Sequence, residues 1–170
     1  MNIELLVLRI IHVVGGVVWA GTAIFIATFL LPALGQAGPA AGPVMAALTN
    51  KKVFVIVPII AILTMLAGLR LMWIASEGYG AAYFHTRPGM TYATGAVLSM
   101  IGFAIFGAVN RPALARIGEL TAKLPTASDA EKATMGAEIG ALRARALKGT
   151  RATATFLGAA AIAMAAARYL

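Results

Sequence analysis

From Ile10 to Asn50 the chain carries no Asp, Glu, Lys or Arg. A bilayer needs about 20 apolar residues in a helix, so the first part of this run is long enough to cross one. Backbone N–H and C=O groups inside hydrocarbon must be satisfied within the protein, which leaves helices or a closed barrel. The alternation of a barrel strand is missing, and the prediction is a helix.

Three further apolar runs have the same character. The predicted spans cover residues 5–34, 53–76, 88–110 and 150–169, making a single membrane domain over residues 1–170. Hydrophobic residues make up 61% of the chain and charged ones 12%, about half the charged share of a soluble domain. The fold class expected is therefore all-α, an integral membrane four-helix bundle. Its N-terminal segment lacks a basic start and a small-residue cleavage site and reads as the first span. Cysteine is absent, which excludes disulfides and thiolate metal sites.

The net charge of +8 reports topology rather than a nucleic-acid partner. Lys51 and Lys52 lie between spans one and two. Arg111, Arg116, Lys123, Lys132, Arg143, Arg145 and Lys148 lie between spans three and four, with Arg151 at the edge of that connector. Only Arg9, Arg70, Arg87 and Arg168 fall toward the other side. The positive-inside bias predicts those two connectors cytoplasmic and both termini outside, in the periplasm or its equivalent.

The stretch from Gly35 to Pro43 reads as a turn. In the longer connector, Ser128 with Asp129 and Glu131 predicts a capped helix over about 128–148, with Met135, Ile139, Leu142 and Ala146 on one face. This amphipathic cytoplasmic helix is expected to lie against the membrane or a partner, or to run on into span four. Span four is rich in Gly and Ala from Gly158 onward, which predicts close packing inside the bundle or against another subunit. Trp73, Tyr79, Tyr83, Phe84 and Tyr92 predict an aromatic belt at the outer interface. Pro58 predicts a kink in span two that opens a small internal space.

His12 lies inside the first span, about 12 Å along it, where an ionisable group is costly and invites a functional reading. At spacings of three and four, His12, Gly15 or Gly16, Trp19 and Ala23 share one helix face. Such a face offers an imidazole ligand, a shallow floor and an aromatic wall, a surface on which haem can lie. Arg9 and Arg70 are placed to neutralise propionates. The same residues suit helix packing, with Arg9 or Arg70 paired to Glu4 or Glu77. His85 is the only other histidine, so a two-histidine metal site would be His12 with His85, within a chain or between chains. Copper is the rival metal, since imidazole and thioether suit it, and Met65 and Met72 share a face in span two. No phosphate loop, HExxH pair or serine triad is present, and none of the six carboxylates lies in a span.

The run Leu8-Arg9-Ile10-Ile11-His12, six residues, Trp19, one residue, Gly21, then Phe25 and Pro32, resembles the first helix of small bacterial membrane proteins of the copper-resistance CopD-like group. Asn110-Arg111-Pro112-Ala113-Leu114 resembles the exit of that group's third helix. The group's relatives include proteins similar to the HemJ-type protoporphyrinogen oxidase. The resemblance implies a haem b site, or second to it copper, with His12 as leading ligand and a role in electron transfer or cofactor handling. No span holds the helix lysine of a HemJ-like oxidoreductase, so binding is expected ahead of catalysis. The alternative from another class is a non-catalytic accessory subunit of a larger respiratory or photosynthetic complex. Its partners would be the lipid bilayer and other membrane subunits or further copies of the chain.

Overall fold

A computed structural model describes residues 2–170, the Pro39 side chain excepted. The described residues are helical and contain no strand. Four long helices are α1 (Ile3–Gln36), α3 (Val53–Ala75), α5 (Arg87–Thr126) and α6 (Asp129–Tyr169), and each is long and apolar enough to cross a membrane. Two short ones, α2 (Ala41–Asn50) and α4 (Ala81–Phe84), sit in the connectors.

Local chemistry sets the helix starts. The Asn2 side chain accepts from Leu5 N–H at 3.3 Å, and Glu4 complements the dipole of the first turn. Thr86 accepts from Gly89 N–H at 3.1 Å, with a proline in the first turn where no N–H is needed. Ser128 and Glu131 form the predicted capping box, and the hydrogen bonds from Ser128 lower the Glu131 pKa. At the end of α3 the chain reverses through Glu77, Gly78 and Tyr79, all at positive φ (50°, 89° and 63°). Tyr79 is fixed there by the Ser76 hydroxyl and by an edge contact with Trp73, ring centroids 5.1 Å apart.

Inside α1 and α5, one stretch each widens to π-helix, Ile26–Leu30 and Phe106–Asn110. A proline follows both, Pro32 and Pro112, and its missing N–H and bulky ring disturb the i→i−4 ladder. Leu31 N–H donates to Ile26 O, and Arg111 N–H to Phe106 O.

The long helices pair antiparallel. α1 packs on α3, α5 on α6, and the pairs meet mainly through α1 against α6. At their centre is Trp19, 7% exposed, with Ala61 of α3 and Leu157 of α6. Phe103 of α5 meets its ring edge-on, centroids 6.0 Å apart. Glycines bring α5 and α6 together: a β-carbon on Gly95 would sit 2.8 Å from Met164, and one on Gly102 would sit 3.3 Å from Leu157. One face of the small-residue span is thus turned inward, with Gly149, Thr153, Ala154, Leu157 and Ala160 buried, while Ala159, Ala161 and Ile162 are exposed. Around the outside, Ile10, Val14, Val17, Ile59, Leu63, Val97 and Ile162 are exposed, an apolar surface far beyond single scattered side chains.

One expectation needs correction and another is narrowed. The 35–43 turn is shorter than predicted, because α1 runs on to Gln36, Gly38 (φ 55°) interrupts it and α2 already begins at Ala41. Pro43 falls within the first helical turn, where N–H groups have no intrahelical partner. Of the placements expected for the segment 128–148, the structure shows the one that runs on into span four: it is the first half of α6, α-helical without a break from Asp129 to Ala166. Its apolar face is covered by α5 itself, which continues past Asn110. Ala113 and Leu120 of α5 and Ile139 and Ala146 of α6 are buried where these segments pack, and Arg116 bridges to Glu138 at 2.8 Å. Gly149 lies within the helix, where one glycine costs only about 1 kcal/mol and does not end it.

Antiparallel pairing defines two ends. The terminal end holds both chain termini and the 76–86 connector. The hairpin end holds α2 and the extension of α5 and α6.

Candidate functional site

His12 faces α3. Its Nδ1 lies 2.9 Å from the backbone carbonyl of Thr64, and a carbonyl only accepts, so Nδ1 carries the proton and donates. In the neutral ring this fixes Nε2 as the unprotonated nitrogen. Nε2 has no hydrogen-bond partner and is not among the fully buried polar atoms. The ring stands over Gly68, where a β-carbon would lie 2.6 Å from Cε1 and 2.8 Å from Nδ1. Gly68 is therefore what lets the imidazole reach the α3 backbone.

Below His12 the helix face continues as its spacing predicts, and α3 occupies it. A β-carbon on Gly15 would collide with the Thr64 hydroxyl and touch Ile60, while Gly16 lies against the Thr64 methyl. Thr64 is 4% exposed, and its hydroxyl donates to Ile60 O at 2.8 Å. Trp19 closes the face as the core residue of the whole molecule. The glycines and the tryptophan are thus in contact with protein, with no flat face left open between them.

The arginines separate. Arg70 pairs with Glu4, Nη2 to Oε1 at 2.7 Å and Nε to Oε1 at 2.8 Å, tying the terminal ends of α1 and α3. Arg9 is exposed and has no ion-pair partner among the described residues. His85 caps the short α4, exposed, and makes no hydrogen bond to His12. No group of three His, Cys, Asp or Glu that could hold a metal occurs among the described residues. Met65 packs on the Trp19 core. Beside His85, burial and then the neighbouring Tyr92 raise the Tyr83 hydroxyl above its ordinary pKa.

A second polar point lies toward the hairpin end, where no functional residue was expected. Asn110, 3% exposed, donates from Nδ2 to Ala146 O at 3.0 Å and to the Thr150 hydroxyl at 2.6 Å. Its Oδ1 is buried without a partner, and a β-carbon on Gly149 would lie 2.5 Å from it. Thr153 donates to Gly102 O at 3.2 Å. Between this group and Trp19 is a cavity of about 80 Å³, walled by Phe54, Pro58, Phe103 and Phe106 with Thr22, Thr150 and Thr153. Pro58 is one of its walls. A sequence signal existed for Asn110 as the one amide in the apolar run from Pro88, but at its end an asparagine reads as a helix exit.

Comparison with protein-family models, with curated proteins and with solved structures gives no match.

Proposed function

We propose that the chain is a multi-pass four-helix bundle of the bacterial inner membrane, both termini periplasmic, resembling the CopD-like group. In this reading His12 offers Nε2 as a ligand to haem b, in electron transfer or cofactor handling. The observation that carries it is the bond from His12 Nδ1–H to Thr64 O. A ligating histidine characteristically donates its other ring N–H to a carbonyl or carboxylate, which fixes the tautomer and aims the free nitrogen. The fit is to one ligand and not to a cradle. Gly15, Gly16 and Trp19 are covered by α3 and the core, and Arg70 is engaged by Glu4. Haem would therefore meet His12 from the Nε2 side, with Arg9, unlike Arg70, lacking an acidic partner among the described residues. A second histidine to hold the group would be His85, of the same chain or of another copy. Copper is the weaker fit, because the described residues gather no set of three ligands from His, Cys, Asp or Glu.

A second reading is favoured by the glycine contacts themselves. Gly15, Gly16 and Gly68 bring two helices into close contact, which is what a non-catalytic accessory subunit of a larger membrane complex requires. His12 then serves as a hydrogen-bonded lock between helices. A visible spectrum of haem-replete protein in mild detergent separates the two. The haem reading expects a Soret band that His12→Ala abolishes, and absence of that band from the wild type sinks it. Metal analysis then decides copper. Stoichiometric membrane partners that co-purify equally with His12→Ala would support the accessory subunit. A reporter fused after Leu170 and active only in the cytoplasm would overturn the orientation.

A further inference from the structure

Along the outside of the α5–α6 pair, at the hairpin end, runs an open groove of about 600 Å³. It extends from Ala141 to Ala152 of α6, about 16 Å at the helical rise, and Ile105 and Val109 of α5 form its opposite wall. Its character changes along that length. Ile105, Val109 and Ala152 belong to the apolar part of the helices, while Arg145 and Lys148 belong to the polar extension. These two cations are three residues apart on one helix face and both exposed. Neither has an ion-pair partner among the described residues, because the hairpin's carboxylates are engaged elsewhere. Glu119 and Glu138 hold Arg116, Asp129 holds Lys132, and Glu131 closes the capping box on Ser128.

A groove that is apolar at one end and doubly cationic at the other suits an amphipathic anion. We infer that it is a binding site for one anionic glycerophospholipid, its phosphate between Arg145 and Lys148 and an acyl chain along Ile105, Val109 and Ala152. Basic residues where helices leave the hydrocarbon attract anionic headgroups. Here the groove adds shape to the charge, which distinguishes the site from the basic residues elsewhere on the hairpin. The inference rests on the membrane reading and is independent of haem.

The test is native mass spectrometry of the delipidated full chain in mild detergent, titrated with dioleoyl phosphatidylglycerol or dioleoyl phosphatidylcholine. One phosphatidylglycerol should bind about tenfold more tightly than phosphatidylcholine. R145Q/K148Q, at two exposed positions, should remove the preference. K123Q/R143Q, which deletes the same charge from hairpin positions outside the groove, should keep it. Ala152→Leu, which fills the apolar part and leaves both cations, should weaken binding of phosphatidylglycerol. Equal binding of the two lipids would overturn the inference, as would equal losses in the two double variants. So would displacement of the lipid by glycerol 3-phosphate at equal concentration, since the apolar wall would then contribute nothing. A stoichiometric acidic protein lost only with R145Q/K148Q, without any lipid preference, would assign the groove to a protein instead. Failure of the membrane reading would look different, the protein leaving the membrane fraction in alkaline wash without detergent.

Discussion

The two helix pairs are held by the same device with opposite results. In each, a polar side chain crosses to a backbone carbonyl of the partner helix beside a glycine: His12 to Thr64 O at Gly68, and Asn110 to Ala146 O at Gly149. Each pair is also closed farther along by an ion pair, Glu4–Arg70 and Arg116–Glu138. The difference lies in the atom left over. His12 keeps Nε2 at a partly exposed position, open to the surroundings of the helix pair. Asn110 keeps Oδ1 in the interior, where nothing described meets it. An acceptor in the interior costs about 1–3 kcal/mol where neither protein nor water reaches it, and Asn110 adjoins a cavity large enough for water. The rare residue type thus occupies the more open place, and the ordinary one the more enclosed.

If that contrast is right, the α5–α6 seam is the less forgiving. Gly149→Ala should show the largest effect, a loss of about 1–3 kcal/mol in unfolding from mild detergent. The new β-carbon meets Asn110 Oδ1 at 2.5 Å and Val109 at 3.0 Å, and Asn110 cannot swing away without breaking both its bonds. Gly68→Ala should cost less, since the His12 ring it displaces is only partly buried. A larger loss at Gly68 would reverse the ranking of the seams. Asn110→Ala comes next, at about 1–2 kcal/mol, because hydrogen bonds between membrane helices contribute about 0.6 kcal/mol on average and the deletion also enlarges the neighbouring cavity. A gain in stability from this variant would show that the unpaired Oδ1 outweighs the two bonds. His12→Ala should cost only about 0.6 kcal/mol, since Thr64 O remains within the α3 ladder. A loss matching that of Asn110→Ala would make His12 a structural lock of the same rank.

How much of this was legible follows from what each signal depends on. The apolar runs predicted spans at 5–34 and 53–76, and the helices run Ile3–Gln36 and Val53–Ala75, because span length depends on local hydropathy alone. The Ser128 cap was legible for the same reason, its partner being Glu131 three residues on. The common face of His12, Gly15 and Trp19 follows from helical spacing. What covers that face does not, because Thr64 and Gly68 reach it only through the rotation and register of α3. The continuous α6 was legible only as one of three placements, because helical spacing carries across Gly149 but does not say whether the segment packs on α5, a partner or the membrane. The π segments depend on how Pro32 and Pro112 are absorbed, and the apolar pattern is the same either way.

The ion pairs at the helix ends give the smallest and last separation. Glu4 and Arg70 are about half exposed, 49% and 48%, so their attraction is set against solvent and the entropy of two long side chains. Arg70→Gln should therefore cost no more than about 0–1 kcal/mol, and the cost should shrink in raised salt. Arg116 differs in kind, because the hydrogen bond to Glu138 and then that to Glu119 raise its pKa, and three acceptor oxygens order its guanidinium. Arg116→Gln should consequently exceed Arg70→Gln, and its signature should be faster proteolysis near the 124–128 turn while the apolar helices stay protected. Equal small effects from both would mean that buried contacts of Ala113, Leu120 and Ile139 hold the hairpin without help from the charges. In that case the two helix pairs would differ only in their buried seams.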